Sequence, residues 1–258
     1  MKKIIILLFF LPNLVFGQTE SWWHEPSSDY GIDLHNYEKY MPTSSCGEIL
    51  NYSYFSVSFC EEYKLSEWTI HYLTPDRLTY SSSRKGIEFR KDPRLNGRDN
   101  SKLDFYKSGY DRGHMVPAAD MAFDKTRLTE TFFLTNITPQ TAGFNRGGWK
   151  VLEERIRDWV VEFDTVAIIT GFVKGDNPDN LLGYAGSVPV PKYFYKIFID
   201  IQRKRSIAFL MPNEKITKDI IEYVVPIDYL EKITGLDFFY KLPDDVELSF
   251  EINTGNKK

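Results

Sequence analysis

Trp149, Leu152, Ile156, Val160 and Phe163 recur at helical spacing and fall on one face, so the chain predicts an amphipathic helix there. Elsewhere the period drops to two. Tyr52 to Phe59 alternates aromatic and serine residues and predicts a strand. Trp68, Ile70 and Tyr72 alternate with Thr69, His71 and Leu73, which predicts a half-buried strand ended by Pro75. Val166 to Thr170 is an apolar run closed by Gly171, the pattern of a short buried strand. Tyr193 to Ile201 and Ser206 to Met211 predict two strands joined by the polar turn Gln202 to Arg205. Phe132-Phe133-Leu134 fits a strand or a helix end, and Ile220 to Leu230 fits either class. Strands and helices mix without a regular βαβ rhythm, so the fold class is α+β.

Polar stretches divide the chain. Residues 18–45 carry Pro26, Ser27, Ser28, Gly31 and Pro42 and predict an extended N-terminal arm. Asp92-Pro93 and Asn96-Gly97 make Arg84 to Gly109 mostly loop. A single domain is expected over residues 46–258. Ahead of the arm, Lys2 and Lys3 precede the apolar run Ile4 to Phe16, broken by Pro12 and Asn13. This is the layout of a signal peptide over residues 1–17, cut near Gly17, with a secreted or periplasmic destination. The run falls short of the roughly 20 apolar residues that span a bilayer, and no later segment is apolar enough.

Charge and cysteines sharpen the picture. An aromatic content of 16% marks a globular chain. The formal net charge of −4 argues at first sight against a polyanionic partner. From Arg84 to Arg112, however, nine Lys/Arg face five Asp/Glu, a local basic surface that can bind phosphate or can be a solvated loop. Cys46 and Cys60 are the only cysteines, and in an exported chain they are expected to form one disulfide.

The chemistry concentrates in the middle third. Tyr110 to Met121 reads YDRGHMVPAADM, which crowds Asp111, Arg112, Gly113 and His114 into four positions. An imidazole can take a proton from water at neutral pH, and a guanidinium fork can steady a phosphoryl oxygen. Gly113 is expected to let the backbone bend between them. Downstream, Thr135 to Arg157 reads TNITPQTAGFNRGGWKVLEERIR. With Asn145 at the helix start, Glu153 and Arg157 lie one turn apart beside the apolar face. The same residues also fit an N-cap asparagine and an ordinary i,i+4 ion pair.

The DRGH run, the TNITPQ run and the Asn-x-Gly-x-Trp-x-x-Leu-Glu run resemble the DNA/RNA non-specific endonucleases, the endonuclease G-like enzymes with a ββα-metal finger. Glu67 to Thr74, Phe89 to Pro93, Thr131-Phe132, Thr170-Gly171, Val190-Pro191 with Phe194-Tyr195-Lys196, and Ala208-Phe209 also resemble family segments in order, from about Trp68 to Asn213. The resemblance implies a central antiparallel sheet flanked by helices, with the active site in the ββα finger. It makes His114 the general base that activates water, Arg112 a stabiliser of the phosphate, and Asn145 the single direct protein ligand of magnesium or manganese. Glu153 then holds metal-bound water, Asn136 supports the site by hydrogen bonding, and Arg157 lies near the phosphate. Asp111 matches as a structural residue. A second phosphate-binding arginine is expected upstream, where Arg84 and Arg90 both qualify.

These residues describe a sequence-non-specific endonuclease acting on DNA and RNA through phosphate contacts, which carry no sequence information. Two other readings stay open. One is a catalytically silent nucleic-acid-binding protein on the same scaffold. The other is a phosphodiesterase for a different phosphoester. Oligomeric state is left open by the sequence.

Overall fold

The computed structural model describes residues 37–175, 180–183 and 188–251. The expected signal peptide and most of the expected arm lie outside them. Seven strands form the central sheet: β1 (Gly47–Asn51), β2 (Phe55–Cys60), β3 (Leu65–Leu73), β6 (Val166–Lys174), β9 (Pro191–Asp200), β10 (Arg205–Pro212) and β11 (Val224–Val225). They pair in that order, and every pair is antiparallel. Each strand therefore lies beside its neighbour in sheet order along the chain. A smaller hairpin pairs β7 (Leu181–Leu182) with β8 (Val188–Pro189).

Helices cover both faces. On one, Trp68, Ile70, Ala167 and Ile169 pack with Ile227 and Leu230 of α4 (Ile227–Thr234) and Val246 and Phe250 of α5 (Asp244–Glu251). On the other, Val166, Ile168, Phe198 and Phe209 pack with α3 (Trp149–Phe163). The helical spacing is realised: all five of its residues are buried. Each such side chain contributes about 1.5–3 kcal/mol when taken out of water. The fold is thus α+β, with an antiparallel sheet flanked by helices.

Three local expectations change. All nine residues of β3 are buried, so the strand is not half-buried; the sheet is covered on both sides, and Thr69 and His71 point into protein. β6 runs through Gly171 instead of ending there. A side chain at Gly171 would lie 2.1 Å from the Tyr195 hydroxyl opposite, so the glycine makes room for a cross-strand tyrosine. The described end of the arm lies against the sheet: Tyr40 and Met41 are buried, and the Trp68 indole donates to the Thr43 carbonyl at 2.9 Å. The Cys46–Cys60 disulfide ties the start of edge strand β1 to the end of β2.

Between β3 and β6 the chain leaves the sheet. It makes α1 (Pro75–Leu78), a loop with 3₁₀ turns at Pro93–Leu95 and Lys102–Phe105, β4 (Tyr110–His114), α2 (Lys125–Glu130) and β5 (Ile137–Thr141). β4 and β5 pair antiparallel, with Asp111 opposite Gln140 and His114 opposite Ile137. A π turn, Phe144–Gly148, then leads into α3. Two strands and a helix follow one another, and they carry most of the candidate residues.

Candidate active site

His114 closes β4 against two aromatic rings, Phe132 at 4.9 Å and Phe89 at 5.5 Å between centroids. Arg112, two residues earlier on the same side of the strand, lies 4.7 Å over Phe89. Arg84 lies 5.6 Å over Phe132. The Nε2 of His114 is shut off from solvent and has no hydrogen-bond partner among the described residues. Burial, aided by the charge of Arg84, pushes the imidazole pKa down to about 3. The ring is therefore neutral at physiological pH and holds an unused nitrogen, beside a cluster of guanidinium groups.

Asn136 fixes the chain just beyond this ring. Its Oδ1 accepts from the Val116 N–H at 2.9 Å, and its Nδ2 donates to the carbonyls of Val116 and Thr131, both at 3.0 Å. Its own carbonyl accepts from the Met115 N–H at 3.0 Å. A fully buried amide with every group used is a rigid clamp. Gly113 serves a different purpose from the one expected. It lies in an extended strand, not in a bend, and an added Cβ would sit 2.0 Å from Cδ of Gln140. The glycine lets Gln140 cross the strand.

Asp111 points to the other side of β4 and joins it to the π turn. Nδ2 of Asn145 donates to its Oδ2 at 2.9 Å, and Arg146 donates through Nε at 2.8 Å and Nη2 at 2.6 Å. Burial would raise the Asp111 carboxyl, but these hydrogen bonds outweigh it and hold it below the usual range. Asn145 is not an N-cap: it lies inside the π turn, and no side chain caps α3. Committing Nδ2 to Asp111 leaves the amide oxygen as its free end.

Glu153 and Arg157 do lie one turn apart on α3, yet they form no ion pair. Arg157 donates instead to Asp120 at 2.8 Å, and the other Asp120 oxygen is 3.0 Å from Nε2 of the buried His71. Burial raises the Glu153 carboxyl, against the pull of Lys196 and Arg157. Burial lowers the Lys196 ammonium, which donates to Thr170 at 2.6 Å and lies 4.7 Å over the Trp149 ring. His71 and Lys196 lie in segments that resemble the family, but neither they nor Asp120 were given a role in the site by sequence. A charged residue inside the apolar strand around Lys196, and an acid among the small residues after Pro117, were the available signals.

Of the two upstream arginines, Arg84 stands by His114. Arg90 is exposed, lies 4.6 Å over Phe133, and is held by backbone bonding to Phe132 and Leu134. The donors near the π turn and α3 are an amide oxygen and a carboxylate, hard ligands suited to a cation such as magnesium that keeps much of its own hydration. Such a donor set fits a divalent metal without a dedicated protein cage.

Residues 33–245 match the family model described as DNA/RNA non-specific endonuclease. The mitochondrial nuclease of Saccharomyces cerevisiae is 31% identical over 240 residues, covering 84% of this chain and 73% of that protein. Nuclease C1 of Cunninghamella echinulata var. echinulata is 34% identical over 204 residues, covering 73% of this chain and 81% of that protein. Among solved structures, a chain of the EndoG/EndoGI complex superposes with a TM-score of 0.70 at 28% identity, over 76% of this chain and 86% of that one. These relatives correct the expected destination. The budding-yeast, fission-yeast and vertebrate proteins are named as mitochondrial, which points to a mitochondrial location and away from a secreted or periplasmic one. A basic start followed by an apolar run does not by itself say which membrane system reads it.

Proposed function

Because the chain belongs to the DNA/RNA non-specific endonuclease family, and so is a nuclease, we propose that it hydrolyses DNA and RNA with His114 as general base and magnesium, or manganese in its place, as cofactor. The observation that carries this reading is the neutral, unpartnered Nε2 of His114 beside the Arg112 and Arg84 guanidinium groups. Nε2, closed to bulk solvent in the free protein, takes a proton from a water molecule that enters with the substrate phosphate, and the oxygen of that water attacks phosphorus. The bond from phosphorus to the 3′ oxygen breaks, and that oxygen ends with a proton from solvent. Proton transfer of this kind contributes typically about 10²–10⁴-fold. Arg112 and Arg84 steady the charge that builds on the phosphoryl oxygens, and Arg90 binds a neighbouring phosphate. Arg157, oriented by Asp120, serves the same charge from α3. Asn136 holds the strand end that carries His114.

The family is one of metal-dependent nucleases. When bound, the metal would polarise the phosphate and stabilise the leaving oxygen, held by the Asn145 amide oxygen directly and by Glu153 at a remove, through water. Asp111 orients the Asn145 amide for that task. None of these groups reads a base edge, in keeping with low sequence specificity. The test is digestion of plasmid DNA and of RNA with Mg²⁺, with Mn²⁺ and with EDTA. Cutting of both polymers that EDTA abolishes is the expected result. Binding without cutting under every condition would leave the silent nucleic-acid-binding reading in its place.

A further inference from the structure

His71 is fully buried in β3, and no step of the proposed reaction uses it. Its partners across the sheet are Phe55 on β2 and Ile168 on β6, surroundings that suit an apolar side chain. A polar ring is costly there unless it is bonded. Its bond is to Asp120, whose Oδ2 lies 3.0 Å from Nε2. Burial holds the imidazole below its usual pKa, so the ring is neutral at neutral pH and carries one N–H. Burial would raise the Asp120 carboxyl, but the His71 bond and the Arg157 charge outweigh it and hold it below the usual range. An ionised carboxylate can only accept, so the ring hydrogen sits on Nε2. Nδ1 is buried with no hydrogen-bond partner among the described residues.

Asp120 lies in the 3₁₀ turn Ala118–Met121, just beyond the Val116 that Asn136 clamps. Its Oδ2 faces His71, and its Oδ1 accepts from Nη1 of Arg157 at 2.8 Å. One carboxylate thus joins β3 of the central sheet, the chain that follows His114, and α3. With a donor from a different element on each oxygen, its plane cannot turn without breaking a bond. Arg157 is 20% exposed, so its fork is held at one end and open at the other. Without the His71 donor, Oδ2 would be left buried and unpaired, a state that the carboxylate relieves by turning. The guanidinium would move with it.

We propose that His71 is a positioning residue, which through Asp120 fixes where the Arg157 guanidinium stands against the phosphate. This rests on the reading of Arg157 as a group that serves the phosphate. His71 itself takes no part in the chemistry.

The experiment compares two variants of the full chain. His71→Leu keeps the bulk and removes the donor, whereas His71→Gln keeps the bulk and an N–H at similar reach. Initial rates of plasmid cleavage with Mg²⁺ are measured in the unaltered and Arg157→Ala backgrounds, with melting temperature as the folding control. His71→Leu should lower kcat by about tenfold or more while KM changes by less than about threefold. His71→Gln should restore kcat to within about threefold. In Arg157→Ala, His71→Leu should cost less than about twofold more. Equal losses with and without Arg157, or His71→Gln as slow as His71→Leu at equal melting temperature, would overturn the proposal.

Two readouts need no cutting. In EDTA, ¹⁵N relaxation of the Arg157 Nε–H, assigned by its loss in Arg157→Ala, should show an ordered side chain in the unaltered chain and in His71→Gln. It should show a mobile one in His71→Leu, and an Arg157 equally ordered there overturns the proposal. Imidazole ¹⁵N shifts of the unaltered chain, which no folding failure can remove, should place the His71 proton on Nε2. A proton on Nδ1 alone also overturns it. If the unaltered chain cuts neither polymer while the Arg157 signal responds as expected, His71 is shown to hold Arg157 and the reading of the site is what fails.

Discussion

Replacing Gly113 by alanine tests how closely the catalytic strand is packed. The added Cβ would lie 2.0 Å from Cδ and 2.4 Å from Cγ of Gln140. Carbon atoms pack at about 3.5–4 Å, so roughly 1.5 Å of displacement must come from somewhere. Gln140 is fully buried and cannot swing into solvent. Overpacking of this kind costs about 1–3 kcal/mol, offset in part by about 0.5–1 kcal/mol gained on removing a glycine from a strand. A net loss of about 1–2 kcal/mol lowers the melting temperature by about 3–6 °C in a chain of this size. The displacement falls between Arg112 and His114, so cleavage should drop further than stability implies; misplacement near 1 Å can cost about 10²-fold. Thermal unfolding and initial cleavage rates read the two effects. In a double-mutant cycle, Gln140→Ala should relieve the Gly113→Ala penalty by about 1–2 kcal/mol. Wild-type melting and turnover in Gly113→Ala, or strict additivity with Gln140→Ala, would refute the packing argument.

Other outcomes follow from the same geometry. Asn145→Ala should nearly abolish cleavage while costing only about 1 kcal/mol, the worth of its hydrogen bond to Asp111; Glu153→Ala should be milder and partly recovered by more magnesium. Initial rates against magnesium decide it, and an unchanged magnesium dependence in Asn145→Ala would place the metal elsewhere. His114 should stay neutral down to pH 5 in an NMR titration, and a midpoint near 6.5 would show its pocket to be wet. Because its folded pKa, about 3, lies below the unfolded value near 6.5, its contribution to stability is complete above about pH 6.5. It is lost as pH falls from there towards 3, by roughly 1.4 kcal/mol per pH unit. Reduction of Cys46–Cys60 should remove about 3 kcal/mol, the loop-entropy value for a closed loop of this length. An unchanged urea midpoint in dithiothreitol would contradict that.

The site residues on β4 and α3 were legible because chemistry and period coincide there. An acid, a cation, a glycine and an imidazole in sequence have little use elsewhere, and α3 repeats cleanly over its whole length. β1 was missed because it is an edge strand with only one buried residue, which leaves no alternation to read. β3 was misjudged in the opposite sense, since burial on both faces erases the contrast between its two sides. Asn145 was misplaced because a π turn continues the helical outline ahead of α3 without its hydrogen-bond pattern. The Asp120–His71 contact and the Lys196 placement join residues far apart in the chain. Pairings of that kind appear only after the sheet has brought β3 and β9 to the same side of α3.

Every residue proposed for the chemistry lies between Thr74 and Thr165, an excursion that starts at the end of β3 and ends where β6 pairs back onto it. Long insertions cost little extra closure entropy, because that cost grows only with the logarithm of length. Pairing across such a span is nonetheless slow, since the entropy is lost before any contact repays it. The α3 helix packs its apolar face in one cluster with residues of β3, β6, β9 and β10. An unfolded chain thus holds the parts of the site without their arrangement. Until the β3–β6 seam closes, the candidate groups on β4 and α3 are not held against one another.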